Sequence, residues 1–264
     1  LDYPPGSYAD TDELVELSGL VAELGGIYHT HLRNTLGDGF LDPVKEALEI
    51  GRRAGVPCHL THFYRRITHS GSARQLLDLV EGSVDQGQDV TMDCYPYTYS
   101  STRLLIMFPQ WAHDGGPEKL KKVLRSPEGR ERLRREVRPR GLSFKDFWLT
   151  YFKQPQNHQY EGRTVEEVAE MTGKHPVDAI CDLLLEEDLQ VSYVSPGPNG
   201  ATLPDFIKHP LSMVGTDAVL LGDFPSPRTY GSFPVILAEY VREERMMSLP
   251  NAIQKMTSFP AQRL

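Results

Sequence analysis

The sequence predicts a parallel α/β fold of the kind that closes into a (β/α) barrel, on three observations. Residues 27–31, 56–62 and 89–95 are short apolar runs that read as strands, the first two opened by Gly25-Gly26 and Gly55. They end at His31, His62 and Tyr95, 31 and 33 residues apart. Between them lie two helix patterns: residues 41–54, apolar at Leu41, Val44, Ala47, Leu48 and Ala54, and residues 72–86, apolar at Leu76, Leu77, Leu79 and Val80. A strand-plus-helix unit repeating at that length is the period of such a fold.

Taken in order, residues 1–9 hold two prolines and a glycine and read as an ordered loop carrying Tyr3 and Tyr8. Asp10 or Thr11 then caps a helix with the apolar stripe Leu14, Leu17, Leu20, Val21 and Leu24. The β-α-β unit of residues 25–62 follows. Parallel neighbours joined by a right-handed crossover end on the same edge of a sheet, so His31 and His62 are expected close together. Two imidazoles converging there suit a metal ion. A single strand-end histidine is more often a hydrogen-bonded or solvated residue, and it is the equivalence of the two positions that points to a ligand pair. His29 shares a strand face with His31, which makes His-Thr-His a possible pair by itself. His59 has the opposite parity from His62 and reads as packing or surface.

Residues 100–160 are less regular. They contain a charged helix through 120–137, whose Lys and Arg run reads as a solvated face balanced by Glu128, Glu131 and Glu136. Phe144, Phe147, Trp148, Tyr151 and Phe152 form an aromatic cluster suited to core or lid packing. Two helix patterns fill 164–187, separated by Gly173, and residues 190–194 are a short strand with no assigned place in the sheet. Residues 211–217 are a further buried strand ending in the carboxylate of Asp217, followed by a proline-rich loop with Arg228 and two closing helices. A strand-end Asp is usually a cap or turn residue. As the third member of a strand-end set with His31 and His62 it becomes a functional candidate. The whole of 1–264 reads as one partial (β/α)-barrel domain with an irregular helical insertion at about 100–188.

Composition narrows the function. The 264 residues carry a formal net charge of −8, so no basic surface argues for nucleic acid or an anionic membrane, and a small-molecule substrate is expected. Three cysteines, Cys58, Cys94 and Cys181, are widely spaced and odd in number, which fits a reducing, cytoplasmic setting better than a disulfide framework. No apolar run approaches the ~20 residues of a membrane span. The chain opens on Leu1 and closes directly after an apolar helix pattern, and is read as a piece of a longer polypeptide.

The chain resembles the N-acyl-D-amino-acid deacylases (D-aminoacylases) of the metal-dependent amidohydrolase superfamily. The resemblance is carried, in the family's order, by Tyr3-Pro4-Pro5, Gly25-Gly26-Ile27-Tyr28-x-Thr30-His31-x-Arg33, Thr61-His62, Asp93-x-Tyr95-Pro96-Tyr97 with Ser100-Ser101-Thr102, Gly215-Thr216-Asp217, Pro227-Arg228 with Gly231-x-Phe233-Pro234, and Lys255-Met256-Thr257. It implies a (β/α)8 TIM-type barrel with its metal site at the carboxyl ends of the strands. By the same resemblance His31, His62 and Asp217 end strands five, six and eight. The histidines would then hold Zn2+, Asp217 would bind or face the metal and act as general base, and Tyr3, Tyr95, Ser100 and Arg228 would line the substrate pocket. The implied reaction is hydrolysis of the linear amide of an N-acyl amino acid by a zinc-activated water.

Three departures stand out. The family follows its strand-six histidine with another histidine and a lysine, whereas here Phe63-Tyr64 follow His62, with Arg65 or Arg66 as possible replacement cations. His29 stands where the family has a small residue. The His-x-His pair of strand one and the early metal-binding cysteine have no counterpart, so the chain is expected to be the C-terminal half of the barrel, strands 5–8, completed by a missing N-terminal half or a partner chain. The alternatives are an amidohydrolase acting on a cyclic amide or carbamoyl compound, and a non-catalytic half-barrel.

Overall fold

The computed structural model describes residues 2–139 and 141–264. Their strands, in chain order, are β1 (Tyr28–Thr30), β2 (Cys58–Leu60), β3 (Val90–Cys94), β4 (Tyr99–Arg103), β5 (Trp148–Tyr151), β6 (Ser192–Pro196) and β7 (Ser212–Val214). They form two sheets within two compact units, the first made of residues 1–98, 198–218 and 227–264 and the second of 99–197 and 219–226.

The first unit carries a four-stranded parallel sheet in the order β1-β2-β3-β7. Helices α1 (Thr11–Glu23), α2 (Asp42–Ala54) and α3 (Ala73–Asp85) stand where the apolar periodicity places them. Local chemistry sets their ends. The Asp10 carboxylate accepts the Glu13 N–H at 2.8 Å, and Ser72 and Gln75 form a reciprocal capping box at the start of α3. Gly55 closes α2 at φ 64°, a left-handed conformation that a side chain would strain.

One face of this sheet packs into an apolar core. Val44, Leu48, Leu60, Leu76, Val80, Met92 and Phe206 are all buried there, and each such side chain contributes roughly 1.5–3 kcal/mol relative to exposure. The opposite face carries the odd-numbered positions, His29, His59, Thr91 and Asp93, and is polar. At the other end of β7, the buried Lys255 ammonium donates to the carbonyls of His209 and Ser212, at 2.5 and 2.8 Å. The closing helical segments are Arg228–Val235, a π-helical turn Ile236–Glu243, Leu249–Met256 and Ser258–Arg263.

The second unit has its own sheet and core. β4 and β5 flank β6, both antiparallel to it, so the strand near residues 190–194 is the centre of a separate three-stranded sheet. Pairing with partners ~45 and ~90 residues away is a long-range event that a local pattern does not encode. The charged segment, expected as one helix, is two, Gly116–Arg125 and Pro127–Glu136. Pro127 cannot donate to the preceding turn, while Ser126 accepts the Gly129 N–H at 2.9 Å and starts a new helix. Of the aromatic cluster, Phe147 and Phe152 are buried in this unit's core.

Candidate metal centre

His31 and His62 both lie just past the carboxyl ends of adjacent parallel strands. The ladder continues one step, the Thr61 N–H donating to the Thr30 carbonyl at 3.1 Å. His62 then enters the left-handed region at φ 37°, which breaks the strand alternation and turns its ring toward His31. The Asp93 carboxylate fixes this turn, accepting the His62 backbone N–H at 2.8 Å and the Thr61 hydroxyl at 3.0 Å.

The result is a facing pair. His31 Nδ1 lies 2.7 Å from His62 Nε2, with ring centroids 4.5 Å apart and planes at 73°. Burial, reinforced by the His62 and Arg66 charges, pushes the His31 pKa down to about 2, and burial also lowers that of His62. Both rings are therefore neutral at pH 7 and present lone pairs, the form in which histidine binds a metal. Two neutral imidazole nitrogens are donors that suit zinc. The Asp217 charge acts on His62, but its carboxylate is not within 4.8 Å of both rings' ligand atoms.

Asp217 sits beyond β7, after Gly215, whose N–H donates to the Cys94 carbonyl at 3.0 Å. Its backbone is also left-handed, at φ 45°. Its carboxylate pairs with Arg228 Nη2 at 2.8 Å, the arginine side chain being 1% exposed and the aspartate's 45%. The Arg228 guanidinium lies 4.4 Å above the Tyr95 ring. Tyr95 is itself buried, and its hydroxyl donates to that of Tyr64 at 3.0 Å. The Tyr3 ring stands 5.3 Å from that of His31. His31, His62, Asp217, Arg228, Tyr95 and Tyr3 thus all belong to the first unit. Ser100 belongs to the second, on β4, where its hydroxyl donates to the Ser195 carbonyl at 3.4 Å.

The two arginines after Tyr64 are not equivalent. Arg65 is committed to the carbonyls of His69 and Gly71. Arg66 lies 5.9 Å from the Tyr64 ring, and its charge depresses the pKa of both His31 and His62.

His59 corrects the expectation that it faces away. It is buried on the polar side of the sheet, with Nδ1 2.8 Å from the Thr91 hydroxyl and Nε2 2.9 Å from Asp93 Oδ2. Parity did separate it from His62, but His62 leaves the strand before its side chain is set. Burial alone would raise the Asp93 carboxyl, yet the His59 hydrogen bond and the His62 N–H hold it below the usual carboxylate range. Asp93 entered the sequence reading only as part of a motif. Its parity with His59 and His29 on parallel neighbours was the signal that could have found it.

No family model matches the chain. The D-aminoacylase of Alcaligenes xylosoxydans xylosoxydans is 28% identical over 262 residues, which are 99% of this chain and 46% of that protein. The chain is similar to the D-aminoacylases. The N-acyl-D-aspartate deacylase of the same organism is 27% identical over 269 residues, covering 98% of this chain and 44% of the relative. Among solved structures, the N-acyl-D-glutamate deacylase of Bordetella bronchiseptica, complexed with zinc and a phosphonate mimic of the tetrahedral intermediate, superposes with a TM-score of 0.78 at 27% identity, over 100% of this chain and 47% of that one. The α/β fold of this chain matches the C-terminal region of those enzymes, and the chain spans about half their length.

Proposed function

We propose that this chain is the C-terminal half, strands five to eight, of a (β/α)8 amidohydrolase barrel that removes the acyl group from N-acyl-D-amino acids, and that it needs the N-terminal half, in the same polypeptide or a partner. The observation that carries the reading is the facing, neutral pair His31–His62 at the strand ends, in one unit with the Asp217–Arg228 ion pair. The parallel order β1-β2-β3-β7, with a polar face opposite the helices, supports a barrel segment.

His31 and His62 would hold zinc, with Asp217 binding or facing it. When bound, zinc polarises the scissile carbonyl and acidifies the attacking water. Asp217 takes the water proton on its carboxylate and returns it to the leaving amide nitrogen. Arg228 orients the substrate by its carboxylate; a carboxylate, that of Asp217, is what the guanidinium holds in the structure. Tyr95, beneath Arg228, and Tyr3, beside His31, bound the space in which the acyl group lies. The assignment of Ser100 to substrate rests on the family resemblance alone. Three free, buried cysteines suit a reducing, cytoplasmic setting. Among the described residues, no helix is long and apolar enough to cross a membrane.

The test is turnover of N-acetyl-D-amino acids by the 264-residue chain alone and joined to a preceding barrel half, alongside cyclic amides and carbamoyl compounds. Turnover only in the joined form, selective for the linear amide, is expected. Full activity of the isolated chain would overturn the half-barrel reading, and selectivity for the cyclic or carbamoyl substrates the deacylase reading.

A further inference from the structure

The polar face of the parallel sheet holds a second constellation that the deacylase reading does not use. β1, β2 and β3 are in parallel register with His29 opposite His59 and His59 opposite Thr91, so these side chains project at one level from three neighbouring strands. Asp93 comes next on that face of β3. One ligand atom from each of His29, His59 and Asp93 falls within 4.8 Å of the others. His59 and Asp93 are already 2.9 Å apart, close to the ~3.0–3.4 Å that separates two donors each ~2.1 Å from a single ion.

We propose that His29, His59 and Asp93 form a divalent transition-metal site, separate from the strand-end pair His31–His62. Two imidazoles and one carboxylate are a nitrogen-rich donor set that suits zinc, cobalt or iron(II) over calcium or magnesium. The supporting contacts are those such a site requires. Thr91 lies 2.8 Å from His59 Nδ1, and its hydroxyl can accept from Nδ1–H while Nε2 ligates. The His62 backbone N–H donates to Asp93 Oδ1, and Oδ2, which faces His59, also accepts the Thr61 hydroxyl, so the carboxylate is held in place. His29 is exposed and stands edge-on to His59, with centroids 4.7 Å apart at 89°, and among the described residues no protein group hydrogen-bonds to its ring. Its ring is therefore available to an ion bound by His59 and Asp93. Three protein ligands leave positions for water, so the site is open.

The experiment uses the 264-residue chain with His31→Ala and His62→Asn together, which removes the strand-end pair. Asparagine tolerates the left-handed backbone at 62, and the N–H held by Asp93 is retained. Co2+ is titrated by calorimetry and by its visible absorption. One equivalent is expected to bind with a tetrahedral or five-coordinate spectrum and to raise the Tm. Adding His29→Ala, which alters an exposed side chain, or His59→Gln should weaken binding tenfold or more, while circular dichroism shows the fold kept. Binding that is unchanged by His29→Ala, or no binding up to millimolar Co2+, would overturn the site. Deacylase activity plays no part in the readout, so failure here and failure of the proposed function are separately visible.

Discussion

Nδ1 of His31 lies 2.7 Å from Nε2 of His62, two half-buried neutral imidazoles in contact at the ends of parallel strands. Two lone-pair donors at that separation need a proton or a metal ion between them. That requirement makes the pair the first place to look for zinc.

In the chain joined to a preceding barrel half, His31→Ala and His62→Ala are each expected to abolish tight zinc binding. His69→Ala should leave it, because His69 packs against Phe40 at 5.2 Å rather than at the strand ends. Metal analysis of the three purified variants checks this, and equal zinc in all three would contradict the pairing.

Asp217→Asn is expected to keep the histidine-held zinc and lose ~10²–10⁴-fold in kcat with little change in KM, the usual worth of positioned proton transfer. Arg228→Ala should chiefly raise KM for substrates bearing a carboxylate. Because Arg228 is fully buried above Tyr95, both constants must be measured per folded molecule. An Asp217→Asn protein within a few-fold of the parent would leave Asp217 a turn residue only.

The loop that brings Tyr3 to His31 is tied down by Arg33. Its guanidinium bonds the Ala9 carbonyl and the Glu46 carboxylate, which also accepts the Thr11 hydroxyl at 2.6 Å. With the arginine and glutamate side chains 12% and 8% exposed, Glu46→Ala leaves a buried cation without its partner and should cost about 3–5 kcal/mol. Chemical denaturation measures it; a loss under about 1 kcal/mol would mean that water replaces Glu46 there.

Lys255 gives a pH signature. Burial lowers its pKa from 10.5 to about 8. Between those values the unfolded chain binds more protons than the folded one, so stability should rise as pH increases from about 8 to 10.5, by up to roughly 3 kcal/mol. Lys255→Met should flatten that rise. It should also lower stability at pH 7, since the His209 and Ser212 carbonyls lose their ammonium donor. Urea denaturation of both proteins across this range is the measurement, and identical slopes would show that Lys255 is solvated when charged.

Local chemistry was sufficient to determine much of this protein. The 31- and 33-residue spacing of strand ends, the apolar stripes of α2 and α3, the Asp10 cap and the Gly55 stop are all encoded within a few residues of where they act. Parallel order then follows, and with it the nearness of His31 to His62. What only the tertiary structure decided involves backbone that departs from the strand period, or partners distant in sequence. His62 reaches His31 because Asp93, 31 residues on, holds its N–H in a left-handed turn. His59 is packed, and it is held there by Asp93, 34 residues on. Asp217 and Arg228 meet across a proline-rich loop, and β6 finds partners on β4 and β5 rather than in the parallel sheet. Side-chain direction in these places is set by long-range hydrogen bonds and burial, which no window of neighbouring residues contains.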